Sequence, residues 1–107
     1  LGQHLQLPME QVVEALRQGA AGSWALEHRS RAMLNDTYPL GFKLALHHKD
    51  LGIALDAALQ TGLKLPITEC VHQQEQALMN AGLGDADVSA LRRSLPANPH
   101  SPRQLRE

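Results

Sequence analysis

The stretch from Lys43 to Thr61 constrains this chain more than any other. Its apolar residues, Leu44, Leu46, Leu51, Ile53, Ala54, Leu55, Ala57 and Ala58, surround most of a helix instead of lining one face. A helix that is apolar nearly all round must be central to the fold, because a solvated side would leave oily surface in water. Gly62 supplies its stop.

The flanking segments are punctuated in the same way. Pro8 stands where a first helical turn tolerates proline, and Met9, Val12, Val13 and Leu16 keep the spacing of one helical face up to Gly19. Ser23 is placed to cap a second helix running from Trp24 towards Met33 and Leu34. Asn35-Asp36-Thr37-Tyr38-Pro39 reads as a turn, since proline disfavours helix at the residue before it. Pro66 opens a fourth helix with Ile67, Cys70, Val71, Gln74, Ala77, Leu78 and Ala81 as its stripe, and Gly82 closes it. Asp87 caps a short fifth helix carrying Val88, Leu91 and Leu95.

No segment alternates like a strand, and no internal repeat is present. Trp24, Tyr38 and Phe42 are the only aromatic residues among 107, so the core must be built from Leu, Ala, Val, Ile and Met, which favours close helix packing. The fold class is therefore all-α, a compact bundle of about five helices. The domain is expected over residues 1–95. Residues 96–107, where Pro96, Pro99 and Pro102 are mixed with polar residues, read as a mobile tail. Leu1 to Leu7 are amphipathic, lack a cap and begin abruptly, as the last turns of a truncated longer helix would.

Several functions are disfavoured. The formal net charge of −1 gives no field to recruit nucleic acid or anionic lipid, and scarce aromatics leave no base-stacking platform. No apolar run approaches the length that spans a bilayer. Cys70 is the only cysteine, which rules out an internal disulfide or a cysteine zinc cluster, and no secretory segment is visible; a cytoplasmic location is expected. There is no glycine-rich phosphate cradle and no nucleophile signature around any serine. The six histidines are scattered; the positions four residues after His47 and His48 hold Leu51 and Gly52, so no metal site is expected and the histidines read as surface or interface groups.

Lys49 and Asp50 stand apart. A lysine within the most apolar helix must reach water, a carboxylate or a ligand. By periodicity alone it either snorkels to the surface or, with Asp56 seven residues on, gives one helical face a cation and an acid that could line a cleft.

The neighbouring residues add to this. Lys49-Asp50-Leu51-Gly52-Ile53-Ala54-Leu55-Asp56 matches the KDLxxAxD pattern of the β-hydroxyacid dehydrogenase (3-hydroxyisobutyrate dehydrogenase) family at every fixed position. Upstream, Gly22-Ser23-Trp24 and Pro39-Leu40-Gly41-Phe42 resemble that family's lead-in. Downstream, Leu65-Pro66-Ile67-Thr68 resembles its LPxT segment, and Gly82-Leu83-Gly84-Asp85 with Asp87, Ser89, Ala90 and Leu91 resembles its closing stretch. The series runs in order from near Leu7 to about Leu95. Gly41-Phe42, Leu46-His47-His48-Lys49-Asp50-Leu51 and Gln76-Ala77-Leu78 most resemble the family's tartronate semialdehyde reductase (2-hydroxy-3-oxopropionate reductase) members.

The resemblance implies an N-terminal Rossmann domain, a long interdomain helix, and an all-α C-terminal domain to which this chain corresponds. It implies hydride transfer between NAD or NADP and a small hydroxyacid or its semialdehyde in the cleft between domains. Lys49 would contact the nicotinamide end of the cofactor, Phe42 would wall the same pocket, and Asp50 and Asp56 would hold the helix and its lysine in place. The family's catalytic lysine and glycine fingerprint match nothing here: Lys43, Lys49 and Lys64 lack that lysine's context. No catalytic residue is assigned, the isolated chain is expected to be inactive with no tightly bound cofactor, and a homo-oligomer is expected. The alternative from another class is a free-standing helical module that holds a partner helix in its apolar groove.

Overall fold

The structure, a computed structural model, describes residues 1–101. Among them the chain forms four α-helices and one 3-10 helix, with no strand: α1 (Met9–Arg17), α2 (Trp24–Leu34), α3 (Leu44–Thr61), α4 (Pro66–Asn80) and the 3-10 helix Val88–Ser94. The all-α expectation holds, and the helices begin within a residue of where their caps predict. The helices are distributed over two compact units, Tyr38–Ser94 and the remainder of the described residues.

In the first unit α1 packs on α2 with no fully buried residue in either helix. Ser23 is the expected cap, its Oγ accepting from the Leu26 N–H at 3.0 Å. Glu14 and Arg17 pair across one turn of α1, and Arg17 also reaches Glu27 of α2 at 3.6 Å. Gly22 is required by its surroundings: a Cβ there would lie 2.5 Å from the Arg17 carbonyl oxygen. Of the expected tail, residues 102–107 lie outside the described residues. Asn98 turns the chain before them by accepting the His100 N–H on its side chain, and Gln6 Nε2 is hydrogen-bonded to His100 Nδ1.

The second unit holds all the fully buried residues of the described chain. α3 and α4 pack on each other and on the 3-10 helix around Leu44, Leu78 and Ala90, with Tyr38, Met79, Leu83, Ala86 and Leu91 completing the cluster. Burying Leu44 completely is worth about 1.5–3 kcal/mol of apolar transfer. α3 is central to this unit but not covered all round: only Leu44 and Ala58 are buried, while Leu46, Ile53 and Leu59 remain exposed.

α4 corrects the sequence reading. Its buried face is Glu75 and Leu78 with half-buried Val71, His72 and Met79, whereas Ile67, Cys70, Gln74 and Ala77 of the expected stripe are exposed. The packed face is rotated roughly a quarter turn from that stripe. Counting apolar residues favoured Ile67 and Cys70 and gave no weight to a glutamate.

Helix endings repeat one device. At Gly62 and Gly82 the backbone turns left-handed (φ 72° and 91°), and the next N–H reaches back five residues, Leu63 to the Ala58 carbonyl and Leu83 to that of Leu78. Asp36 ends α2 in the same way with φ 54°. Gln6, with φ 57°, closes the turns of residues 1–7 by the same device: Leu7 N–H bonds the Gly2 carbonyl and Gln6 N–H that of Gln3. Residues 1–7 therefore carry the closing hydrogen bonds of a helix C-terminus.

Candidate functional site

The segment before α3 is clipped to the segment before the 3-10 helix. Leu44 N–H bonds the Ala86 carbonyl, Ala45 N–H that of Gly84, and Val88 N–H that of Phe42 at 2.7 Å. Asp87, 1% exposed, closes the clip. Its Oδ1 accepts from Gly41 N–H at 3.0 Å and Phe42 N–H at 2.9 Å, and its Oδ2 accepts from the backbone N–H and the hydroxyl of Ser89. Asp87 thus caps the last helix as expected and also fixes the Phe42 backbone, a contact across 45 residues. Lys43 and Asp85 add an exposed ion pair at 3.3 Å.

On the far side of α3 from its packing contacts lie Leu46, Lys49, Asp50, Ile53, Asp56 and Ala57, all exposed. The side chains of Lys49 and Asp50 make no hydrogen bond or ion pair with any described residue. The lysine is free to reach a ligand and is flanked by Leu46 and Ile53, which remain 44% and 58% exposed. One face therefore combines an unpaired ammonium with an apolar floor. Phe42 is 36% exposed; its ring meets His47 edge-on, with centroids 6.4 Å apart and planes at 83°.

Of the six histidines, His4, His28 and His100 are exposed, whereas His47, His48 and His72 lie at the α3–α4 contact. His47 Nδ1 is 2.8 Å from Oε2 of the wholly buried Glu75. His48 stacks on His72 at 3.9 Å. Sequence reasoning missed Glu75. The available signal was its position four residues after Val71 and three before Leu78, where a carboxylate on a packed face demands a partner. Among the described residues no group of three or more His, Cys, Asp or Glu gathers as a metal site. A polar cleft of about 260 Å³ between α1 and α2 is lined by Glu10, Glu14, Arg17, Glu27, Ser30 and Arg31, none of them a motif residue.

An all-α domain with one cation-bearing, half-apolar helix face, and a clip that presents an aromatic ring beside that helix, is the class of protein defined so far. The family model described as NAD-binding of NADP-dependent 3-hydroxyisobutyrate dehydrogenase matches residues 1–95, and the chain belongs to that family. It is similar to the 2-hydroxy-3-oxopropionate reductase of Escherichia coli, 38% identical over 84 residues that make up 78% of this chain and 29% of that one. It is also similar to the 2-(hydroxymethyl)glutarate dehydrogenase of Eubacterium barkeri, 32% identical over 85% of this chain and 31% of that one. Among solved structures, a 3-hydroxyisobutyrate dehydrogenase from Salmonella typhimurium shares the fold, with TM-score 0.78 and 23% identity over 88% of this chain and 33% of that one. The chain thus spans less than a third of the length of these relatives. Among the described residues no helix is long and apolar enough to cross a membrane.

Proposed function

We propose that this chain is the cofactor- and substrate-facing helical domain of an NAD(P)-dependent dehydrogenase that interconverts a small β-hydroxyacid and its semialdehyde. Among substrates, the resemblance and the similarity to a 2-hydroxy-3-oxopropionate reductase favour tartronate semialdehyde. The observation that carries the reading is the exposed face of α3, where Lys49 has no side-chain partner among the described residues and shares that face with exposed Leu46 and Ile53.

Those residues suit the nicotinamide end of a dinucleotide. A lysine ammonium is a steerable donor for an amide or ribose oxygen, and the leucine and isoleucine would exclude water from a planar ring. Phe42 would wall the pocket, while Asp50 and Asp56 lie on the same exposed side of α3 without pairing to Lys49 among the described residues. The dinucleotide supplies the hydride when bound; the protein binds and orients it. No glycine-rich turn is present to hold the pyrophosphate, so that half of the site belongs to a Rossmann domain of the parent protein. The helix-ending hydrogen bonds of residues 1–7 support a connection to that domain through the end of an interdomain helix. The chain by itself binds NAD(P) weakly and carries out no hydride transfer. Its exposed apolar α3 face favours self-association, readable as a solution mass above 11.7 kDa in light scattering. A lone exposed thiol, Cys70, suits the cytoplasm.

The test is Lys49→Ala in the intact parent enzyme. We expect KM for the dinucleotide to rise about tenfold, the loss of one charge-assisted hydrogen bond, with the melting temperature unchanged. An unchanged KM in a folded variant would remove Lys49 from the site and overturn the assignment of this face.

A further inference from the structure

We infer that Glu75 and His47 form a positioning pair whose task is to hold the ring of Phe42 in one orientation. The inference rests on the reading of Phe42 as a wall of the cofactor pocket and assigns roles to two residues outside it.

Glu75 is completely buried on α4, and one of its oxygens, Oε1, has no hydrogen-bond partner among the described residues. The other, Oε2, meets His47 Nδ1 at 2.8 Å. The bond joins one ring nitrogen to one carboxyl oxygen, and it fixes the imidazole plane whichever of the two atoms carries the hydrogen. The edge-on contact with Phe42 then follows at 6.4 Å between centroids, within the range of favourable aromatic pairs. No other ring contact orients the Phe42 side chain among the described residues.

The backbone of Phe42 is held independently. Asp87 accepts its N–H at 2.9 Å, and Val88 donates to its carbonyl at 2.7 Å. Two buried carboxylates therefore converge on one partly exposed phenylalanine, Asp87 through the main chain and Glu75 through His47. Stability does not call for the second. Two apolar side chains at 47 and 75 would join α3 to α4 without desolvating an acid, and such replacements are commonly neutral or stabilising. What the acid–imidazole pair adds is direction: it fixes a rotamer that apolar packing alone would leave free.

Glu75→Met in the intact parent enzyme separates orientation from stability, because methionine fills the same volume without the bond. We expect the melting temperature to be kept or raised, KM for the dinucleotide to rise about three- to tenfold through the freed ring, and kcat to stay within about twofold. Glu75→Gln, whose amide oxygen can still accept from Nδ1, restores KM to within about twofold of the parent value. If Glu75→Met does not fold, the apolar pair Glu75→Met with His47→Leu replaces it, and the same rise in KM is expected.

Phe42→Ala is measured alongside. A raised KM in Phe42→Ala with an unchanged KM in a folded Glu75→Met overturns the positioning pair and leaves the pocket standing. An unchanged KM in folded Phe42→Ala overturns the pocket reading, and the pair falls with it. A KM raised equally by Glu75→Met and Glu75→Gln also overturns the inference, since the hydrogen bond would then be irrelevant.

Discussion

Asp87 accepts hydrogen bonds from Gly41, Phe42 and Ser89 while almost wholly removed from water. Truncating it strands those donors in a site that water reaches poorly, and each buried unsatisfied N–H costs about 1–3 kcal/mol. Asp87→Ala is expected to lower the unfolding free energy by at least about 2 kcal/mol, read from the urea midpoint at unchanged slope. Part of this residue could be read from sequence: an aspartate just before Val88 is a recognisable cap. Its reach back to Phe42 could not, because a contact across 45 residues leaves no periodic trace. Lys49 and Asp50 were singled out by charge within an apolar helix, and the fold puts both on its open side. Glu75 stayed hidden for the opposite reason. A lone acid on a packed face looks like noise until its histidine, 28 residues earlier, is seen beside it.

Helix positions followed closely from proline, serine and glycine, since these residues act through their own backbone or the nearest N–H groups. Helix faces followed less well. The stripe read on α4 and the face it packs differ because α3 and the 3-10 helix, not the local pattern, choose which side is covered. Gly62 isolates the conformational part of a helix ending. Nothing lies within 4 Å of where its Cβ would be, so Gly62→Ala meets no clash and carries only the left-handed backbone penalty. A loss of about 1–2 kcal/mol in thermal or urea unfolding is expected.

On α1, the Arg17 guanidinium hydrogen-bonded to Glu14 holds that carboxyl below its ordinary value of 4.5. A carboxyl lowered in the folded state stabilises above its unfolded value and loses that contribution as pH falls through the folded one. An acid titration of the α1–α2 unit should therefore show a shallow loss of stability below about pH 4.5 that Glu14→Gln abolishes and added salt weakens.

The two units differ in what holds them. Among the described residues every buried one lies within Tyr38–Ser94, whereas α1 and α2 have none. Regions with few buried contacts open at lower free energy than the core. Native-state hydrogen exchange should find the amides of α1 and α2 exchanging through local openings, with α3 and α4 protected to a higher and shared limit. Uniform protection across all four helices would show one cooperative unit instead. The all-α class could be read from spacing and the scarcity of aromatics. The partition into units could not, because it depends on which helices touch.

The backbone clip also has a topological consequence. Tyr38, the first residue of the second unit, lies beneath the Arg93 guanidinium at 5.3 Å, one residue from that unit's end. In chain order this unit is a closed insert: its entry and exit meet, and the sequence before it and after it belongs to the other unit. A segment joined at neighbouring points behaves as an exchangeable cassette. Its loops can lengthen, and its outer helix face can be redrawn, without moving the two points that join it to the rest of the chain.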